Sequence, residues 1–327
     1  MIKKTIFFCL YVIFIYTIGA QNNNILYGFS ESPQTLLVNP GAETNYRYHA
    51  GIPLFSGLSL NSGSTKLVLS DLFLVGGNFT SKVSNAINNL TSEDFISFNT
   101  QVEVLNFGYR IDDKTYINGG FYTEIDFIGY FPKDVAILLH RGNAAYLNKS
   151  FSLSQLSMRL DVLGILHAGV TRRLSDRLTV GGRLKVYSSS LNANTNNNSG
   201  TFTTREGTNN ILQHNLSNID FVYNTSGVYD GEIPSIDGGS VASNTLLGGN
   251  LGFGLDIGFT YHASSQLEFS GSVLDIGYIS YTKQIKNKTV KGNYDFEGIE
   301  FQFDGSNPTY WEDLTNDFND KLQRVDN

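Results

Sequence analysis

Cysteine is all but missing from this chain: Cys9 is the only one in 327 residues. A disulfide scaffold is thereby excluded. Charge is sparse too, with 23 Lys plus Arg and 30 Asp plus Glu, or 16 %, against roughly 25 % in ordinary soluble domains. The acidic excess leaves no basic surplus for nucleic acid. Beyond the N-terminus no long apolar run occurs. The best candidate, Leu160 to Val170, is interrupted by Asp161 and His167, which excludes a helical membrane protein. Proline is scarce at 6, with a single Trp. In contrast, Gly and Asn are abundant at 33 each, alongside 18 Tyr and 23 Phe. A chain that is 41 % hydrophobic is too apolar for disorder.

Residues 1–20, MIKKTIFFCLYVIFIYTIGA, have a basic start at Lys3 and Lys4, an apolar stretch from Thr5 to Tyr16 and a small-residue exit. This reads as a secretory signal peptide. The alternative, a membrane anchor, is disfavoured because the stretch falls short of the ~20 residues a spanning helix needs. Cys9 lies inside the apolar stretch, not at its end, so lipidation is not expected.

Alternation with period two marks the strands. In 156–171, Leu156, Met158, Leu160, Val162, Leu166, Ala168 and Val170 oppose Ser157, Arg159, Asp161, His167 and Thr171. In 178–187, Leu178, Val180, Leu184 and Val186 oppose Thr179, Arg183, Lys185 and Tyr187. A hairpin with a three-residue loop at 174–176 is expected, setting Thr171 opposite Thr179 and His167 opposite Arg183. Further strands are expected at 117–130, 251–262 and 267–273, and weaker ones at 51–60, 101–111, 217–225 and 293–303. A phase shift near Val104-Leu105 suggests a bulge. Most are long enough for the ~9–11 residues of a membrane-crossing strand. One apolar face opposing a mixed face is the pattern of outer-membrane barrels. A secreted β-sandwich would also alternate, but with shorter strands and a second face rich in Lys and Glu. Here that face is rich in Gly, Ser, Thr and Tyr, which favours the barrel.

Residues 192–213 and 224–248 read as long polar loops. Helices are expected over 82–96, 132–147 and 309–323. Asn-x-Ser/Thr triplets at Asn78, Asn89, Asn148, Asn215, Asn224 and Asn287 are ascribed to chance in so Asn-rich a chain.

Several short motifs carry a family likeness. Val38-Asn39-Pro40-Gly41-Ala42 resembles the Asn-Pro-Ala element of FadL-type outer-membrane barrels, where an N-terminal segment folds into the lumen. Gly254-Leu255-Asp256-Ile257-Gly258 resembles the Asp-x-Gly strand of that superfamily, and Ser272–Gly277 its Asn-x-Gly strand end, with Asp275 in place of Asn. Arg183-Leu184-Lys185 resembles its lysine-bearing strand. The layout is similar to an uncharacterised family of Bacteroidota outer-membrane proteins related to PorV of the type IX secretion system. The resemblance implies an all-β, antiparallel transmembrane barrel (FadL-like) in the outer membrane. Its parts would be a signal peptide at 1–20, a hatch-like segment at 21–45 bearing Asn39, Pro40 and Gly41, and a barrel domain at 46–327. FadL-type barrels have fourteen strands, whereas nine are counted here, so strands beyond 327 are expected, the alternative being that several strands within the chain go uncounted.

The expected lumen-facing polar residues are Glu124, Asp126, Arg159, Asp161, His167, Arg183, Lys185, Asp256 and Glu268. One reading makes them a pairing network that fills the interior. The other makes Arg183 and Lys185 a site for an anionic head group, with Tyr122, Leu163, Ile165 and Tyr187 offering apolar surface. No catalytic constellation, metal ligand set or cofactor is expected: His167 is the one His deep in a firm strand, without Ser beside it. The function implied is binding or passage of a hydrophobic or amphipathic solute. The alternatives are a PorV-like partner of an export-machinery protein, or plain structural work in the envelope. Outer-membrane lipid is the expected surrounding.

Overall fold

In a computed structural model, the structure describes residues 26–52, 56–65, 78–91, 93–208, 211–227, 238–297, 315–318 and 321–326. The leader lies outside the described residues, as does most of the helix expected at 309–323, of which 315–318 are helical. A one-turn helix, α1 (Thr35–Val38), precedes the first strands, β1 (Tyr48–Ala50) and β2 (Leu58–Ser64). Then come α2 (Phe79–Asn88), β3 (Phe95–Arg110), β4 (Thr115–Tyr130), α3 (Lys133–Arg141), β5 (Ser150–Ser152), β6 (Ser157–Ser175) and β7 (Leu178–Glu206). After β8 (Leu212–Gly227) follow α4 (Gly238–Ser243) and an irregular helical turn at Asn244–Gly248. The remaining strands are β9 (Asn250–His262), β10 (Glu268–Ile279), β11 (Lys286–Phe296) and β12 (Leu322–Asp326).

All twelve strands join one curled antiparallel sheet. Its branched order simplifies once collinear strands are grouped. β5 and β6 pair in succession along one edge of β7, while β8 and β9 pair in succession along the other, β9 with 178–189 and β8 with 191–206. β1 and β2 share the edge of β3, and β10 and β11 continue the pattern beside β9 and β8. The result is a meander of eight ribbons, (β1/β2)–β3–β4–(β5/β6)–β7–(β8/β9)–(β10/β11)–β12. The nine strands counted from sequence miss β1, β5 and β12, and the one expected at 51–60 overlaps β2 only at 58–60.

The β6–β7 hairpin forms, with its register displaced by two residues from expectation. Ser175 pairs with Leu178 across Asp176-Arg177, so Gly169 faces Arg183 and His167 faces Lys185. A two-residue shift keeps every side chain on its face, so alternation cannot distinguish the two registers. The expected bulge is present between Glu103 and Leu105. The polar run 192–213 is not a loop: β7 continues to Glu206 and β8 starts at Leu212. Its side chains bond across strands, with Asn192 donating to Asp161 and Asn224 to Asn194, and along β7, with Asn194 donating to Asn192. Amide ladders replace the apolar alternation that would have revealed a strand. Of the second expected loop, 224–227 belong to β8 and 238–248 are helical. β11 lies at 286–296, starting earlier than the strand expected at 293–303, of which 298–303 lie outside the described residues. α2 starts after Asn78, whose side chain accepts from Thr80 N at 2.8 Å. α3 stops at Gly142, where φ is +71°.

Two zones differ in where they hide apolar groups. Beyond β7 Ser188-Ser189-Ser190, packing is conventional, with Ile219, Tyr294 and Leu322 buried in one cluster and Ile87, Leu90, Ile137 and Phe151 in another, where α2, α3 and β5 meet. Alongside 178–188 the order inverts. Leu166, Val170, Leu184, Phe253, Ile257 and Phe259 are exposed, while Asp161, His167, Arg183, Lys185 and Asp256 are buried.

Candidate functional site

The inner face of the sheet, defined by the side on which residues 26–46 pack, gathers the four motifs that carried the likeness. Arg183 and Lys185 stand two apart on β7 and so share a face. Asp256 pairs directly with Arg183 across β9. Arg183 Nε donates to Asp256 Oδ2 at 2.7 Å, and Lys185 Nζ lies 3.0 Å from the same oxygen. Lys185 Nζ and Tyr187 Oη both donate to Asp275 Oδ1 at 2.6 Å. Asp275 N closes the ring on Asp256 Oδ1 at 2.6 Å. Two cations thus meet two carboxylates, with hydrogen bonds filling the remaining valences. This is the condition under which buried charge is tolerated.

The N-terminal motif supplies acceptors. The last carbonyls of a helix lack intrahelical partners. At α1, Leu36 O and Leu37 O take Arg183 Nη1 and Nη2 at 3.2 and 2.7 Å, and Val38 O takes Ser272 Oγ at 2.7 Å. Pro40 O accepts from Thr171 Oγ1 at 2.7 Å, and Asn39 Nδ2 donates to Phe259 O at 3.3 Å. A Cβ on Gly181 would sit 1.8 Å from Pro40 O, and one on Gly258 2.1 Å from Asn39 Oδ1. Glycine is therefore what lets the segment lie flush on the sheet. Leu37 completes the apolar patch of Tyr122, Leu163, Ile165 and Tyr187.

These contacts correct one of the two readings of the polar face. The donors of Arg183 and Lys185 are committed to Asp256, Asp275 and α1 carbonyls, so they do not offer an anion site. Asp275 was missed because β10 shifts register between Val273 and Ile276, and Asp275, at φ +57°, turns inward out of phase. Its signal was present in the Leu-Asp-Ile-Gly repeat of 255–258 and 274–277.

The other expected residues fall in separate groups. Glu124, Asp126 and Asp161 lie on the inner face of β4 and β6, and Arg159 Nε donates to Asp161 at 2.6 Å from a largely exposed side chain. His167 is buried beside the Tyr122 ring, 5.7 Å between centroids, and its Nδ1 has no hydrogen-bond partner. Glu268 is half exposed at the hairpin end, 3.5 Å from His262. His262 also approaches Glu43 at 3.3 Å, and Thr179 donates to Glu43 at 2.6 Å. Burial pushes the Glu43 carboxyl up, but hydrogen bonds from Thr179 and His262 and the charge of Arg173 outweigh it, leaving the pKa lowered.

A different cavity, about 330 Å³, lies between α2, α3 and the ends of β3 and β4. Its wall is almost wholly apolar, with Val83, Ile87, Leu90, Phe95, Phe131 and Leu139. His140 borders it and its Nε2 is 3.0 Å from Ser84 Oγ.

Comparison with known proteins gives a family but no activity. A model described as a family of unknown function, DUF5723, matches residues 40–327. No curated protein matches. A solved structure, the TodX deltaS2S3 mutant monoaromatic hydrocarbon channel, is 13 % identical over 76 % of this chain and 70 % of that one, with a TM-score of 0.21. A score that low carries no argument about this chain.

Proposed function

The chain belongs to DUF5723, a family of unknown function, and from the geometry above we propose that it is an outer-membrane β-barrel protein that binds or passes a hydrophobic or amphipathic solute. The observation that carries this reading is the inverted zone. Apolar side chains exposed around a charged interior are costly in water and favourable in hydrocarbon. The height fits as well. The outward residues Leu251 to Tyr261 of β9, at ~3.3 Å per residue and ~45° tilt, span ~23 Å, near the ~25 Å apolar band of such barrels. On this reading residues 26–46 form a hatch-like plug, and the conventional cores beyond Ser190 stand outside the bilayer.

The solute is read from the apolar cavity beside α2 and α3. At about 330 Å³ it lies at the small end of ligand pockets, and its near-lack of polar wall selects against a charged occupant. The test is binding of an uncharged fluorescent hydrophobic probe, N-phenyl-1-naphthylamine, to the protein refolded into phospholipid vesicles. Saturable binding that Ile87→Trp abolishes is expected. Failure of the mature chain to enter vesicles would sink the membrane reading. Insertion without Ile87-dependent binding would sink the solute assignment alone.

A further inference from the structure

We propose that the helical turn Asn244–Gly248 is a lipid-interface anchor, holding Leu246 and Leu247 at the level of the phospholipid headgroups on the outer wall of the sheet. The proposal deepens the membrane reading above and rests on it. The place of the turn follows from strand phase. Leu163, Ile165 and Tyr187 cluster with Leu37 on the inner face, so Gly164 and Ser188, each one residue away, face outward. Both carry the turn. A Cβ on Gly164 would sit 2.0 Å from Thr245 O, Ser188 Oγ donates to Asn244 O, and Gly249 N donates to Ser188 Oγ at 3.1 Å. Thr245 is buried by this seating. Gly164 pairs with Ser188, and Ser188 with Leu251, so the turn lies on one outward row of the wall. The adjoining outward row runs Leu166–Val186–Phe253–Tyr278. Leu166, Phe253 and Tyr278 in it are exposed. The turn therefore sits where the apolar belt ends, beside a tyrosine of the kind enriched at membrane–water boundaries.

The independent observation is Leu247. Its backbone is left-handed, with φ +74° and ψ 7°, a conformation unfavourable for an L side chain and suited to glycine. Gly248 and Gly249 follow directly, yet the strained position falls on a leucine. Leu246 and Leu247 are 63 % and 44 % exposed. Within the molecule, burial of these two side chains does not offset that strain. An apolar medium outside it would. The medium is lipid, because the neighbouring exposed row is continuous with the belt. Charge agrees: Lys283 Nζ, on an exposed side chain, donates to Gly248 O at 2.6 Å, which sets a cation beside the leucines. Apolar side chains flanked by a cation are the composition of segments that lie in the headgroup–acyl boundary.

The test is depth-dependent quenching of a bimane label on single-cysteine variants of the full chain, made on a Cys9→Ser background and refolded into phospholipid vesicles. Leu246→Cys and Leu247→Cys report on the turn, Leu184→Cys on the belt and Ile211→Cys on the β7–β8 turn. The vesicles carry phosphatidylcholine with a nitroxide near the glycerol end or, in parallel, near the methyl end of an acyl chain. Labels at positions 246 and 247 should be quenched about twofold more by the first lipid than by the second. The label at 184 should be quenched at least as strongly by the second, and the label at 211 by neither. Either position in the turn carries the test should the other variant not fold. Unquenched labels at 246 and 247 beside a quenched label at 184 overturn the anchor and leave the belt standing, with water or a protein partner against the leucines. Stronger quenching of the turn by the methyl-end nitroxide also overturns it, since the turn then lies within the hydrocarbon. Absence of quenching at 184 sinks the membrane reading and the anchor together.

Discussion

At the scale of single residues, Asp256 governs the interior because it neutralises two cations at once. It is fully buried, and both Arg183 and Lys185 reach the same oxygen. Removing it leaves buried positive charge uncompensated, which typically costs about 3–5 kcal/mol. Asp256→Leu should therefore lower unfolding stability in micelles by about that much. Arg183→Met combined with Asp256→Leu should cost less than the sum of the two singles, because the pair is removed together. Additive losses in denaturant unfolding would show that the pair is not coupled. Glu43 gives a pH-dependent contribution at the hairpin end. Its folded pKa is lowered by Thr179, His262 and Arg173. The deprotonated carboxylate thus contributes above the ordinary carboxyl range, and the contribution is lost as pH falls through the lowered value. Hydrogen exchange of amides 35–44, corrected for intrinsic rate, should accelerate on acidification in the wild type. Glu43→Gln should be faster at neutral pH and flatter below it, and superimposable profiles would remove Glu43 from the account.

At the scale of elements, the N-terminal segment and the sheet are fitted to each other through backbone. Gly181 faces Pro40 O so closely that even a methyl group forces movement. Gly181→Ala should release residues 26–46 to limited proteolysis while the strands keep their circular dichroism. Continued protection would mean that the segment adapts. How far these elements could be read from sequence depended on what each pattern encodes. Faces were legible, because Leu184 against Arg183 and Lys185, or Leu255 against Asp256, record inside and outside directly. Register was not, since Thr171 opposite Thr179 and Thr171 opposite Gly181 preserve the same faces. Nor was the length of β7 legible, because Asn192, Asn194 and Asn198 hold the ladder by amide bonds that no hydrophobic period reports. In the polar network, Arg183, Lys185 and Asp256 were found from strand phase. Asp275 was hidden by a bulge that reverses that phase.

At the scale of the whole molecule, the proposed reading has one long sheet serve two solvents. The three serines 188–190, all without exposed surface, mark where outward apolar side chains give way to buried ones. The same strand β7 therefore runs from an inverted zone into a conventional one. A soluble sandwich has no reason to change sense along a single strand, whereas a barrel strand leaving hydrocarbon must. The contrast is testable with one kind of substitution at two places. Leu184 and Leu255 pair across β7 and β9 in the middle of the outward belt, and Leu184 is 67 % exposed. Ile211, at the β7–β8 turn, is 89 % exposed and lies beyond the belt. In phospholipid vesicles Leu184→Arg should destabilise by about 2–4 kcal/mol, the range for a cation near a bilayer midplane. Ile211→Arg should change stability by no more than about 0.5 kcal/mol, as for an ordinary surface position. Urea unfolding in vesicles measures both. If the two arginines prove equally harmless, the belt faces water, and exposure alone would no longer place this sheet in a membrane.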